Sequence, residues 1–329
     1  MPRSVRLHAF GDASVLRIEQ VATPEPGAGE VRLRVQAIGI NRTEITLRAG
    51  RAPVRPALPT GLGFEAAGVV EALGEGVAGI AVGDRVALIP AYSAAQYALY
   101  GEQVVAPARS VVAIPQGTTF IEAAATWAAF GTAWGGLVVT AGLSVGQTVL
   151  IPAASSSVGL AAIQVANRIG ARPIALTRTS AKREALLAHG AAEVIATAEE
   201  NLADAVAALT AGKGAELVFD PVGGPTFPLL TRSTAVGGTV ILYGALSPDV
   251  TPLAPADLVV RSLTLRGFSL TAMTRSDARL SELKMFVSNG LAAGLLSPTV
   301  AQTFDFDHIA DAHRFMEAGD HVGKIVVTV

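Results

Sequence analysis

Residues 148–178, TVLIPAASSSVGLAAIQVANRIGARPIALTR, constrain the fold more than any other stretch of this chain. Thr148 to Ile151 is a short β-rich apolar run, and residues 153–157 are all small. From Gly159 to Ile169 the apolar positions fall on one broad helical face, Gly170 supplies a stop, and 173–177 is a second apolar run. Strand, tight turn, helix, strand is one parallel βαβ unit of about thirty residues. A small-residue turn at a helix N-terminus gathers bare backbone N–H groups and the positive end of the helix dipole at one point, which suits a phosphate.

A dinucleotide fingerprint needs glycine in three places: for the turn, for close approach of the pyrophosphate, and for helix–strand packing. Those places fall on Ala154, Ser156 and Gly159, so one glycine of three is kept. At the end of the second strand, NAD sites carry an acid for the ribose 2′-hydroxyl. This chain reads Thr177-Arg178-Thr179-Ser180 and then Lys182-Arg183, with no acid before Glu184. A guanidinium, two hydroxyls and a helix N-terminus fit a 2′-phosphate, so NADP(H) is expected over NAD(H). The plainer alternative is that Lys182 and Arg183 solubilise a helix.

The chain has 329 residues, long enough for two domains, with half of them apolar and 34 glycines. A net charge of −2 without a basic run argues against nucleic acid or an anionic membrane as partner. There is no cysteine, which removes disulfides, thiolate chemistry and cysteine-rich zinc sites. Neither an apolar signal core in MPRSVRLHAFGD nor a run of roughly 20 apolar residues is present, so a cytoplasmic protein is expected.

Residues 1–122 read as β-rich, with short runs at 5–9, 31–38, 67–72, 85–89 and 96–100 between Gly/Pro turns, which argues for a compact barrel or sandwich. Residues 107–116 read as a connector, and 121–140 as an apolar helical stretch. From 147 onward strands are expected at 148–151, 173–177, 194–195, 216–219, 239–243 and 262–266. Helices are expected at 157–169, 180–189 and 200–211. This alternation predicts a doubly wound parallel sheet. Helices at 276–290 and 308–317 and a last apolar strand, 324–329, complete the reading; that strand is expected to return to the first domain.

The chain resembles the medium-chain dehydrogenase/reductase superfamily, in its zinc-independent quinone oxidoreductase branch. Ala153-Ala154-Ser155-Ser156-Ser157-Val158-Gly159 is similar to that branch's glycine-rich turn, with Ser156 and Ser157 in place of glycines. Further matches are Gly39-Ile40-Asn41-Arg42-Thr43-Glu44, Gly63-Phe64-Glu65-Ala66-Ala67-Gly68-Val69-Val70, Val82-Gly83-Asp84-Arg85-Val86, Asp220-Pro221-Val222-Gly223-Gly224 and Gly323-Lys324-Ile325-Val326. The resemblance implies an α/β architecture: a GroES-like β-rich catalytic domain, 1–122 completed by 270–329, and a Rossmann NADP(H)-binding domain, 123–269. It also implies an active site in the cleft and a homodimer. Zinc-dependent members carry Cys where this chain has Asn41 and His where it has Phe64, so no zinc is expected here. The histidines 8, 189, 308, 313 and 321 are scattered, and His308 and His313 read as surface residues.

Without zinc, the expected reaction is hydride transfer from NADPH to an electrophilic acceptor, a quinone or an α,β-unsaturated carbonyl. Asn41 and Glu44 resemble the family's Asn-x-x-Asp pair beside nicotinamide and substrate, and Tyr92 is the candidate proton donor facing the cleft. The alternative for the pair is a turn-capping Asn and a surface Glu. Cofactor binding is assigned to Thr132, to Ser155, Ser156, Ser157, Val158 and Gly159, and to Thr177, Arg178, Thr179 and Lys182. Val222, Tyr243, Gly244, Phe268, Ser269 and Lys324 are assigned with them. Two other functions stay open. An enoyl thioester reductase would use Arg48, Arg51 and Arg55 as a basic patch; a catalytically idle NADPH-binding protein would turn nothing over.

Overall fold

The computed structural model describes residues 1–52, 55–93 and 96–329. Its contacts divide the chain into two compact units. One comprises residues 1–128, 273–292 and 297–329, and the other 129–272 and 293–296. The first crossing falls inside the Trp127–Trp134 helix, six residues beyond the end expected for the first domain.

In the first unit, the Glu30–Gly39 strand is the axis of a seven-stranded sheet. Val31, Leu33 and Val35 alternate inward with Arg32 and Arg34, the two-residue period of a half-buried strand. Its residues 31–38 pair antiparallel with Ala66–Leu73, its first half with Gln103–Pro107, and its last three residues with the chain's end, Lys324–Thr328. Beyond these lie Arg85–Leu88 and Val111–Ala113 on one side and Val300–Asp305 on the other. A hairpin of Arg3–Leu7 and Leu16–Gln20 packs Val5 and Leu7 into the same core. The terminal strand therefore returns to the first domain's sheet, as its apolar KIVVT pattern suggests.

Two local readings need correction. Residues 96–100 are irregular, not a strand. Their apolar side chains are anchored one by one: Tyr100 donates its N–H to the Leu62 carbonyl and Tyr97 its hydroxyl to Glu30. Residues 107–116 are more than a connector, because Val111–Ala113 adds a strand against Arg85–Leu88.

In the second unit, six strands are all parallel. Their order is Glu193–Ala196, Arg172–Thr177, Thr148–Ile151, Ala215–Asp220, Thr234–Leu242 and Thr264–Gly267. Thr148–Ile151 is buried at every position, as a strand covered on both faces must be. The order runs outward in both directions from the Thr148–Ile151 and Ala215–Asp220 pair, a topological switch point at the strands' C-terminal edge. The helix Ser157–Ile169 ends at Gly170, whose φ of 83° is the left-handed cap that glycine adopts without strain. The 180–189 segment is a short 3₁₀ turn followed by the Arg183–Ala188 helix. No helix among the described residues is long and apolar enough to cross a membrane.

Candidate active site and dinucleotide site

In the first unit, Asn41 precedes the Arg42–Arg48 helix and Glu44 is its third residue. The Glu44 carboxylate reaches back to accept the Asn41 N–H at 2.6 Å, satisfying a donor that a helix start leaves unpaired. It also accepts the Phe64 N–H at 2.8 Å and the Tyr100 hydroxyl at 2.6 Å. Glu44 is fully buried, contrary to a surface placement, and its three donors leave it shaping the turn instead of meeting a substrate. Burial pushes its pKa up to about 7 against the lowering effect of those hydrogen bonds.

Behind Glu44 lies a polar chain that sequence reasoning missed. Arg48, one per cent exposed, places Nη1 3.2 Å from His313 Nδ1; His313 Nε2 is 3.1 Å from the Tyr100 hydroxyl, which donates to Glu44. A guanidinium only donates, so His313 Nδ1 must accept and the ring proton must sit on Nε2, aimed at the Tyr100 oxygen. Every donor in the chain thus points toward Glu44. His313 is buried, not a surface residue as its spacing suggested, and burial followed by the Arg48 charge lowers its pKa to about 3. Arg48 closes on Glu317 at 2.6 Å, so it contributes nothing to an exposed basic patch.

Tyr92 is buried, and its hydroxyl donates to the Phe64 carbonyl at 2.7 Å. Burial, reinforced by Glu44 and Glu65, raises its pKa well above the ordinary tyrosine value. Its proton is spent on holding the Phe64 loop, which corrects the reading of Tyr92 as a proton donor to substrate.

Lys324 is one per cent exposed, and its Nζ lies 2.7 Å from both Asn41 Oδ1 and Glu65 Oε2. Such burial takes its ammonium away from any phosphate, contrary to its assignment to the cofactor. Glu65 Oε1 accepts the Ala128 N–H at 2.8 Å, capping the start of the next helix. Gly39 makes the cluster possible: a Cβ there would lie 2.0 Å from the Ala124 carbonyl oxygen and 2.9 Å from Lys324 Cε. At the positions where zinc-dependent relatives place metal ligands, this chain offers an amide, a phenyl ring and an ammonium–carboxylate pair. That donor set does not fit zinc.

In the second unit, the turn after Thr148–Ile151 ends at Ser156, whose hydroxyl accepts the Gly159 N–H at 3.1 Å and caps the helix. Gly159 is the packing glycine: a Cβ would lie 2.5 Å from the Ala154 carbonyl oxygen. Ala153, at φ 49°, makes the left-handed turn that glycine makes elsewhere. Lys182 Nζ donates to Ser155 Oγ at 3.3 Å, joining the turn to the end of the second strand. Arg178 and Thr179 are exposed there, and the Arg178 guanidinium has no partner among the described residues. Lys182 thus binds the turn and does more than solubilise a helix. The half-buried Ser157 and Val158 open the helix, and Thr177 ends the second strand.

The other strand ends supply the rest. Asp220, buried, accepts the Val222 and Gly223 N–H groups at 2.8 and 3.0 Å, so the 221–224 loop is braced; burial raises its pKa. Tyr243 stacks on Phe219 with centroids 4.0 Å apart, and its buried hydroxyl has no hydrogen-bond partner among the described residues. A Cβ on Gly244 would lie 2.6 Å from the Pro221 carbonyl oxygen. Phe268 donates its N–H to Leu242, and Ser269 shares a hydrogen bond with Thr271. Thr132 lies half-buried in the Trp127–Trp134 helix. Because all six strands run parallel, the segments after 151, 177, 220, 242 and 267 lie along one edge of the sheet. The small-residue turn, the unpartnered guanidinium and the orphaned hydroxyl there fit a dinucleotide.

The two halves of this geometry match known proteins. The profile of the alcohol dehydrogenase GroES-like domain covers residues 27–116, and that of zinc-binding dehydrogenase covers 157–287. The quinone oxidoreductase of Pseudomonas aeruginosa is 37% identical over 328 residues, 99% of each chain. The crystal structure of Escherichia coli quinone oxidoreductase complexed with NADPH is similar with a TM-score of 0.91 at 29% identity, over 99% of this chain and 100% of that one. An NAD-dependent alcohol dehydrogenase structure reaches 0.90 at 33% identity, over 99% of each chain. Fold, site and relatives define a two-domain α/β oxidoreductase. The chain belongs to the medium-chain dehydrogenase/reductase superfamily, in its quinone oxidoreductase branch.

Proposed function

We propose that the protein is a zinc-independent NADPH-dependent reductase of quinones or α,β-unsaturated carbonyls. When bound, NADPH supplies the hydride; the residues of the chain hold the cofactor and stabilise charge on the acceptor. Ser155, Ser156, Ser157 and Val158 offer hydroxyls and N–H groups to the pyrophosphate, and Arg178, Thr179 and Lys182 take the 2′-phosphate. The relative crystallised with NADPH supports this cofactor, and Arg178 at the end of the second strand favours it over NADH. In an enone, hydride adds to the β-carbon, the alkene pair becomes the bond between the α-carbon and the carbonyl carbon, the carbonyl pair moves onto oxygen, and the enolate takes a proton from water at the α-carbon. A quinone takes hydride and one proton to become a hydroquinone.

The observation that carries the proposal is at Asn41. Its Nδ2 donates one N–H to the Gly39 carbonyl at 3.1 Å and keeps the other without a partner among the described residues. That N–H is available to an oxygen gaining negative charge, which a metal would otherwise stabilise. The enoyl thioester alternative loses Arg48 from its basic patch. NADPH oxidation followed at 340 nm with a simple quinone, an enone and crotonyl-CoA tests the assignment. Turnover with the first two is expected; tight NADPH binding with no acceptor reduced would overturn it in favour of an idle nucleotide-binding protein.

The homodimer is proposed on the second unit's outer strand. Thr264–Gly267 is exposed at all four positions, and the preceding helix exposes Val259 and Val260 at 77% and 79%. An unpaired sheet edge beside exposed valines favours self-pairing. Sedimentation of the wild type and of Val260→Asp checks it, with a monomeric variant expected.

A further inference from the structure

The carboxamide of Asn41 can be placed in either of two orientations, and its neighbours permit only one. Lysine nitrogen is a donor only, so the Asn41 atom 2.7 Å from Lys324 Nζ must be the oxygen Oδ1. The carbonyl of Gly39 accepts only, so the atom 3.1 Å from it must be Nδ2. A flipped amide would set N–H against ammonium and oxygen against oxygen. Lys324 is in turn held by Glu65 at 2.7 Å, and Glu65 by the Ala128 N–H. The missing Cβ at Gly39 lets this cluster close.

We infer that Lys324 is a positioning residue that locks and polarises the Asn41 carboxamide, so that its remaining N–H is the donor to the acceptor's oxygen, an inference that rests on the function proposed above. A charge-assisted bond to the amide oxygen draws electron density from the nitrogen and strengthens the opposite N–H as a donor. The buried ammonium thus lends its charge to an oxygen it does not touch. The strength of the effect grows with the charge on that oxygen, so it stabilises the transition state more than the bound substrate.

The test uses the full chain as wild type, as the paired variant Lys324→Met/Glu65→Gln, as Asn41→Ala and as the triple variant. Removing both charges together avoids stranding the Glu65 carboxylate in the interior. The paired variant is expected to lower kcat by on the order of 10-fold or more, with NADPH affinity and acceptor KM within about 2-fold. In the Asn41→Ala background the same pair of changes is expected to alter kcat by less than about 2-fold, because the residue it acts through is gone. The chain has four asparagines, at 41, 167, 201 and 289, so asparagine-selective 15N labelling resolves the Asn41 side-chain amide by its loss in Asn41→Ala. Its resonances are expected to shift in the paired variant. A paired variant with normal kcat and NADPH binding weakened 10-fold would overturn the inference and give Lys324 to a phosphate. Unchanged Asn41 resonances, or full multiplicative losses in the triple variant, would overturn it as well. A wild type that reduces no quinone or enone would instead refute the proposed function, and the Asn41 resonances would still decide the orientation.

Discussion

Two polar clusters, one in each unit, are arranged in opposite ways. In the first, Glu44, Tyr100, His313, Arg48, Lys324 and Glu65 are buried and bonded to one another through Asn41, which donates its backbone N–H to Glu44 and accepts from Lys324 at its Oδ1. In the second, two polar groups at the strand ends are left open: Arg178 has no side-chain partner among the described residues and the Tyr243 hydroxyl is buried without one. A saturated network fixes geometry, since each buried group would lose its desolvation cost uncompensated if it moved. An unsaturated edge is ready for a ligand that brings its own oxygens. The contrast assigns stability to one set of residues and binding to the other, and substitutions can break it.

The largest effect is expected at Gly39. A Cβ 2.0 Å from a carbonyl oxygen cannot be accommodated without moving backbone, so Gly39→Ala should cost at least about 3 kcal/mol, read as a lowered urea midpoint. Next, Arg48→Met leaves the His313 Nδ1 acceptor buried and unpaired and frees Glu317. A loss of about 2–3 kcal/mol is expected, below that of a fully buried ion pair because Glu317 is partly exposed. Survival of either variant with wild-type stability would show that the first unit is less tightly closed than its hydrogen bonds imply.

The pH dependence sharpens the same point. His313 titrates near 6.5 unfolded and about 3 folded, so its contribution is present above 6.5 and is lost as pH falls toward 3. Glu44 goes from 4.5 to about 7, so its contribution is present below 4.5 and is lost as pH rises through 7. Between pH 4.5 and 6.5 the two slopes, each up to about 1.4 kcal/mol per pH unit, oppose each other. Urea unfolding of Glu44→Gln should therefore show stability rising with pH across that window, and His313→Gln stability falling. Identical slopes in both variants and the wild type would rule out this pairing.

The smallest effect on stability is expected at the open edge. Arg178→Ala should change it by less than about 0.5 kcal/mol. The same change should weaken NADPH binding by roughly 10- to 100-fold and NADH binding little, measured by nicotinamide fluorescence. Equal weakening of both cofactors would remove Arg178 from the 2′-phosphate.

The second unit was the more legible half. Strand 148–151, helix 157–169 and the Gly170 stop are set by neighbours within a few residues, and their apolar periods of two and 3.6 are visible in the chain itself. The resemblance pointed to Asn41 and Glu44 but could not say that Glu44 faces inward. Tyr100, His313 and Arg48 gave no signal, because His313 lies 213 residues from Tyr100 and 265 from Arg48. Residues 96–100 misled for a related reason: an apolar run can be buried by separate anchors as well as by a strand.

By itself, then, the sequence determined the alternation of strand and helix, the small-residue turn that opens the 157–169 helix, and the absence of every thiol. These depend on residue type and short spacing, which local physics reads directly. Only the tertiary structure decided that Lys324 turns inward to Asn41 and Glu65, 283 and 259 residues away, instead of outward to solvent or phosphate. A lysine's place depends on whether a carboxylate awaits it in the interior, and that is known only once the last strand has paired with the third.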